Sequence, residues 1–480
     1  MNRRDFVKTI GAAGCLFLTG QPAFPRKAAD KPNVILVMTD DQGYGDLACH
    51  GNKIIKTPNL DKLHQESTRF TAFHVSPTCS PTRASLMTGR HEFRSGVTHT
   101  ILERERMSLK ATTIAQVLSK AGYKTGIFGK WHLGDEDPYQ PQNRGFGEVF
   151  IHGAGGIGQA YNCSCGDAPG NKYFDPAVKH NGTFVKTKGF CTDVFFTQAL
   201  RWIKAVKNQP FFAYIVTNAP HAPYISPESY AQPYLDAGLN KQTANFYGMI
   251  TNIDDNVGRL LRRMDEWGLT RNTLLIFLTD NGTAAGAAVF NAGMKGSKGT
   301  PHEGGTRVPA FFRWPGHFKP GVDIDRLAAH IDLFPTLAEL CRAPIPKGLQ
   351  LDGRSLAPLL SNPKADWPDR YLFTHVGRWE RGKSKESKYS GCAVRSQRFL
   401  LVNNAELYDV AGDLGEKENV MDKRPEVLPD MRKAYDKWWE EVLPAMVNED
   451  VPYARERPFE VLYKKQLAER GIPAWPTDEP

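Results

Sequence analysis

Beyond its first thirty residues, the chain has no stretch approaching the ~20 consecutive apolar residues a membrane-spanning helix needs, so no stable helical span is expected there. Eight cysteines are present, but none is arranged as Cys-x-x-Cys, which argues against a zinc cluster of the usual spacing. There is no block of like charge and no zinc-knuckle or RNA-binding signature, so no nucleic-acid partner is expected. Internal repeats and low-complexity tracts are also missing, which excludes solenoids and linker-like chains. The formal charge of +9 biases the protein toward anionic partners without naming one.

The composition is that of an ordinary globular protein, 41% apolar and 24% charged. A length of 480 residues accommodates one large domain and a smaller one. The opening, "MNRRDFVKTIGAAGCLFLTG", pairs Arg3 and Arg4 ahead of Phe6, Lys8 and a short apolar run rich in glycine and alanine. It resembles a twin-arginine export signal, so residues 1–30 are read as signal and linker of a protein exported to the periplasm or secreted. Cys15 loosely mimics a lipoprotein box, but too little apolar sequence precedes it. Cys49, Cys79, Cys163, Cys165, Cys191, Cys341 and Cys392 remain, and a disulfide from Cys163 or Cys165 to Cys191 would suit an oxidising compartment.

After residue 30, strand-like and helix-like segments alternate. "NVILVMTDD", "KTGIFGKWH", "FFAYIVTNAPHAP", "TLLIFLTDNG" and "RVPAFFRWPG" read as strands. "TPNLDKLHQEST", "ATTIAQVLSKAG", "FYGMITNIDDNVGRLLRRMDEWG" and "AAHIDLFPTLAELC" read as helices. The predicted fold is α/β: a large, mostly parallel or mixed central sheet between layers of helices, over 31–366. Residues 153–190, rich in Gly, Asn and Cys, read as a long insertion loop. The pattern then changes to short antiparallel strands and a closing helix, "LPDMRKAYDKWWEEV", giving a smaller α+β domain over 367–480.

Ligands of an open α/β sheet gather at the carboxyl ends of its strands. Asp40 and Asp41 end one apolar run here, and Asp280 and Asn281 end another. Taken singly, each pair reads as a strand-end turn or a helix cap. Carboxylates gathered at one sheet edge need a compensating cation, and all-oxygen donors favour Ca²⁺ or Mg²⁺ over zinc. "CSPTRASLMTGR" adds Cys79 at the start of a helical stretch, with Pro81 in the first turn and Arg83 one turn on.

That segment matches the sulfatase signature, Cys-x-Pro-x-Arg with a Thr-Gly-Arg tail. "DDQGYGD", "GKWHLG", "PHAP", "TDNG" and "KGTPHEGGTRVP" stand in the same order as that family's other blocks, and "AELYDVAGDLGEKEN" extends the match into the second domain. The chain resembles type I sulfatases of the alkaline phosphatase superfamily and is similar to arylsulfatases. The resemblance implies that Cys79 is oxidised by a formylglycine-generating or sulfatase-maturing enzyme, and that the hydrated aldehyde attacks sulfur to give a covalent sulfo-enzyme. It also implies a divalent metal on Asp40, Asp41, Asp280, Asn281 and one oxygen of the modified Cys79. Arg83 would hold the gem-diol, Lys130 and His132 would contact the formylglycine hydroxyls, and His221 and Lys298 would bind sulfate and protonate the leaving oxygen. Lys295 competes with Lys298, and spacing to "EGG" favours Lys298. Glu303 and Arg307 are read as braces of their loop. A glycan on Asn281 would block the metal, and with a signal of bacterial type the glycosylation-like triplets at Asn162, Asn181 and Asn281 are all taken as coincidental.

The family cleaves sulfate monoesters from aryl sulfates to polysaccharides. Arg378, Arg381, Lys383 and Lys385 interleave with Trp379 and Tyr389, which suits either a sulfated carbohydrate or an exposed, solvated loop. His99 and His152 are the further candidates for lining the pocket. The alternatives are a phosphonate or phosphate ester hydrolase of the same superfamily and an inactive protein that only binds sulfated glycans.

Overall fold

The structure is a computed structural model that describes residues 31–476. The twin-arginine segment and Cys15 lie outside the described residues. In chain order the strands are β1 (Asn33–Thr39), β2 (Thr68–Phe70), β3 (Phe73–His74), β4 (Lys124–Lys130), β5 (Glu148–His152), β6 (Ala177–His180), β7 (Thr183–Lys186) and β8 (Phe211–Val216). β9 (Thr273–Thr279), β10 (Ala310–Arg313), β11 (Val322–Ile324), β12 (Ala328–Ala329), β13 (Leu372–His375), β14 (Cys392–Arg395), β15 (Phe399–Val402) and β16 (Glu406–Asp409) follow.

Ten of them form one sheet in the order β11-β2-β10-β9-β1-β8-β4-β5-β6-β7. Its centre, β9-β1-β8-β4-β5, is parallel, while β10 and the β6–β7 hairpin join antiparallel. The central strands are uninterrupted apolar runs because both of their faces are covered. Val34, Leu36 and Met38 of β1 enter one core, and Ile35 and Val37 enter the other. β9 divides in the same way, Leu274, Ile276 and Leu278 against Leu275 and Phe277. The Cys79–Thr88, Ile114–Lys120 and Leu333–Leu340 helices cover the first face. Pro58–Gln65, Cys191–Val206 and Lys241–Glu266 cover the second.

The small domain is the antiparallel sheet β13-β14-β15-β16, packed on the Leu428–Val442 helix through Trp438, Trp439 and Tyr435. Phe93 of the large domain is inserted into this cluster and ties the two parts together.

Three expectations need correction. Residues 153–190 are not all loop, because β6 and β7 extend the sheet by a hairpin. Residues 367–480 are not one unit: the Pro458–Arg470 helix returns to the large domain, where Phe459 is buried in its core and Gln466 bonds both backbone groups of Phe184. Among the described residues all seven cysteines are free thiols, so neither Cys163 nor Cys165 pairs with Cys191. The two sit together in a small cluster with Ala154, and Cys191 lies in the second core. No helix among the described residues is long and apolar enough to cross a membrane.

Candidate active site

The carboxyl ends of β1, β4 and β9 meet the N-terminus of the Cys79–Thr88 helix. Every residue of that helix is buried, and Gly89 stops it in a left-handed conformation (φ 65°). Donor atoms of Asp40, Cys79 and Asp280 lie within 4.8 Å of one another, all buried. In a strand, neighbouring side chains point to opposite faces. Asp41 breaks that alternation with a left-handed backbone (φ 70°) and bends the chain back at the strand end, where its own N–H donates to Asp280 Oδ1 at 3.1 Å.

Cations interleave with these acids. Lys130 Nζ donates to Asp40 Oδ2 at 2.6 Å, and Lys298 Nζ reaches Asp41 at 2.7 Å. Arg83 donates to Asp280 Oδ2 at 2.6 Å and to the Lys130 carbonyl at 3.1 Å, so its guanidinium braces the Asp280 carboxylate. Asn281 Nδ2 donates to Asp41 Oδ1 at 3.0 Å. Asp40 Oδ1 and Asn281 Oδ1 are buried with no hydrogen-bond partner among the described residues. Buried, unpartnered oxygens beside a second carboxylate form a donor set that fits a hard divalent cation.

The electrostatics agree. Burial pushes Asp40 up to about 6, and burial with the Asp40 charge raises Asp280 to about 6. Burial also works to raise Asp41, but Lys298, His221 and Lys130 outweigh it and hold that carboxyl well below the usual range. At Cys79 burial again opposes ionisation, and Lys130 and Lys298 overcome it to lower the thiol. Two histidines have one nitrogen committed and the other available. His132 Nε2–H donates to the Thr100 carbonyl at 2.7 Å, leaving Nδ1 unpartnered. His221 Nδ1–H donates to the Ala222 carbonyl at 2.6 Å, leaving Nε2 at 3.8 Å from Asp41 Oδ2. Burial lowers both imidazoles below their ordinary value.

Asp40, Asp41, Cys79, Arg83, Lys130, His132, His221, Asp280, Asn281 and Lys298 are therefore brought together. Lys295 points elsewhere, onto the Tyr408 hydroxyl at 3.1 Å. Glu303 pairs with Arg307 and Arg395, and the Arg307 guanidinium lies 5.1 Å over the Tyr44 ring, as braces would. Asn281 is fully buried, so its sequon cannot carry a glycan. Arg378 is exposed and donates to Thr100 Oγ1 at 3.1 Å, one residue from the half-buried His99 and on the residue that anchors His132.

Two predicted subsites are corrected. His152 pairs in register with Lys130, is 1% exposed and lies against Phe195, behind the site instead of at its mouth. Trp379 is buried against Phe93 and Trp439, and its indole N–H donates to Glu449 at 2.6 Å, so it offers no face to a sugar. Tyr161 and Tyr224 were missed. Burial raises both phenols, with Cys165 and Cys79 adding to it at Tyr161 and Asp41 at Tyr224. Tyr161 lies in the insertion and Tyr224 after a proline-rich turn, and no local pattern marks either.

A family model described as Sulfatase matches residues 32–343, and one described as N-sulphoglucosamine sulphohydrolase, C-terminal, matches residues 297–438. Human arylsulfatase A is 31% identical over 84% of this chain and 87% of its own length. Human N-acetylgalactosamine-6-sulfatase is 32% identical over 73% and 69%. Among solved structures, Ps i-CgsB in complex with k-i-k-neocarrahexaose superposes with a TM-score of 0.76 at 28% identity, covering 92% of this chain and 98% of the other.

Proposed function

The chain belongs to the sulfatase family and is a sulfate ester hydrolase; from that premise we propose that it acts on a sulfated carbohydrate, with Cys79 converted to formylglycine as its nucleophile. One observation carries the reading of the site: the donor atoms of Asp40, Cys79 and Asp280 converge among Lys130, Lys298 and Arg83. Asp40, Asp41, Asp280, Asn281 and an oxygen on residue 79 would hold Ca²⁺, or Mg²⁺ in its place. Such an ion, when bound, supplies positive charge to the sulfuryl oxygens.

The chain's own residues do the rest. Lys130 and the helix N-terminus favour negative charge on the residue-79 oxygen. His132, held by Thr100 through Nε2, keeps Nδ1 free to accept a proton there. His221 is anchored through Nδ1, so Nε2 is the atom from which a proton reaches the leaving oxygen, and the nearby Asp41 favours the charged ring against burial. Lys298 stays an ammonium, because Asp41 and Cys79 overcome its burial. It is the cation best placed for a sulfuryl oxygen. The exposed Arg378 beside His99 suits a further anionic group of a saccharide. The signal-like N-terminus supports export to the periplasm or beyond, and conversion of Cys79 requires a maturing enzyme as partner.

The test expresses the protein with a sulfatase-maturing enzyme, reads residue 79 by mass spectrometry, and screens sulfated saccharides beside aryl sulfates, phosphates and phosphonates. The expected result is an aldehyde at residue 79 and the highest kcat/KM on a sulfated saccharide. Cys79→Ala should stay folded and lose at least ~10³-fold in turnover. An active protein with an unconverted thiol would refute the nucleophile. A saccharide panel cleaved no better than an aryl sulfate would refute the substrate class, and a preference for phosphonates would replace it.

A further inference from the structure

The loop leaving Asp41 and the helix that follows it bring together a second group of side chains with donor atoms suited to a metal. Cys49 and His50 close its short helical turn, and His64 stands in the last turn of the Pro58–Gln65 helix. One donor atom from each lies within 4.8 Å of the other two, and all three residues are half-buried. The arrangement is held from behind. His50 Nδ1–H donates to the Tyr44 carbonyl at 2.7 Å, which fixes the tautomer and leaves the Nε2 lone pair free. Metal-binding histidines are oriented by a bond of this kind. The same ring stacks on Tyr44 with centroids 3.8 Å apart, and Phe311 meets His50 and His64 edge-on at 5.7 and 5.2 Å.

Arg69 Nη1 lies 3.2 Å from His64 Nδ1. It also holds the His64 carbonyl, the Gly321 carbonyl and Asp323, so yielding that nitrogen costs it one of four acceptors. The Cys49 N–H donates to Asp61 Oδ1 at 2.9 Å, and burial together with that carboxylate keeps the thiol protonated. One sulfur and two imidazoles are a borderline-soft set, unlike the oxygen-rich catalytic site, and partial exposure leaves room for a water as fourth ligand.

We propose that Cys49, His50 and His64 form a Zn²⁺ site separate from the catalytic centre, pinning the loop after Asp41 to the Pro58–Gln65 helix. A zinc–sulfur bond forms as the Cys49 S–H bond breaks, and the proton passes to solvent with no change of oxidation state. The missing Cys-x-x-Cys does not count against this site, because the fold assembles it from residues fourteen positions apart.

The test uses the full chain with Cys79→Ala, which removes the thiol from the catalytic site. After chelator treatment it is titrated with Co²⁺ and then with Zn²⁺. A thiolate-to-cobalt charge-transfer band should appear at one equivalent and be displaced by one equivalent of Zn²⁺. The band should vanish in Cys49→Ser, and affinity should fall ~10-fold or more in His50→Ala and in His64→Ala. Should Cys49→Ser fail to fold, the two histidine variants decide. Cobalt binding without a thiolate band, a band that survives Cys49→Ser, histidine variants of unchanged affinity, or no binding at micromolar metal would each overturn the proposal.

Discussion

Glu105 is 1% exposed, and neither of its carboxylate oxygens has a hydrogen-bond partner among the described residues. Burial, aided by the nearby Asp135, Glu136 and Glu103, pushes it up to about 8 from 4.5. Below about pH 4.5 the group is protonated whether the chain is folded or not, and its contribution to stability is whole. As the pH rises toward 8 the unfolded chain gives up this proton while the folded one keeps it, so stability falls through that window. Glu105→Gln, which cannot ionise, should lose less stability between pH 5 and pH 8.5 in chemical denaturation, by on the order of 3 kcal/mol. Equal losses in both proteins would show that Glu105 is already ionised in the native state. At this scale the legible residues were those ending an apolar run or sitting in a compact motif, such as Asp40, Asp280 and Cys79. Trp379 departs from its expected role for a physical reason: an aromatic among arginines and lysines looks like an exposed platform, yet Glu449 and Arg104, remote in the chain, supply the partners that bury it.

The elements reading as continuous apolar runs were recovered because burial on both faces leaves no other composition for them. The β6–β7 hairpin was not, although its turn is marked. Asn181 and Gly182 both have positive φ (46° and 89°), the asparagine–glycine pair of a tight hairpin, which in the sequence also opens a sequon. Inside β4, Gly129 has the demanding backbone, with φ 117°, and a Cβ there would lie 1.8 Å from the Val216 carbonyl oxygen of β8. The close approach sets the next residue, Lys130, against Asp40. Gly129→Ala should lower stability by about 2–4 kcal/mol and cut kcat at least ~10-fold where the variant is still folded. A variant with wild-type melting temperature and turnover would mean that β4 and β8 tolerate the added carbon by shifting without cost.

At the scale of the whole molecule, the C-terminal segment closes the structure. Glu449 accepts from the Trp379 indole at 2.6 Å and from Thr98 Oγ1, and it pairs with Arg104 at 3.1 Å. Asn448 donates to the Gly96 and Arg106 carbonyls at 2.8 and 2.7 Å. Two adjacent residues thus join the small domain to the loop that carries His99 and Thr100, whose carbonyl anchors His132. Arg104 is 2% exposed, so removing Glu449 leaves a buried guanidinium without its carboxylate, a loss on the order of 3–5 kcal/mol. In Glu449→Ala the small domain should loosen first. The expected readouts are a melting temperature lower by several degrees, earlier proteolysis near residues 376–391, and a raised KM for the sulfate ester. The conversion proposed for Cys79 should be unaffected, because the Cys79–Thr88 helix bonds neither Glu449 nor Asn448. Glu449→Gln, which still accepts from Trp379 but cannot neutralise Arg104, separates the two roles. If the cost lies in the stranded charge, glutamine should be nearly as damaging to stability as alanine; if it lies in the hydrogen bonds to Thr98 and Trp379, glutamine should restore most of it.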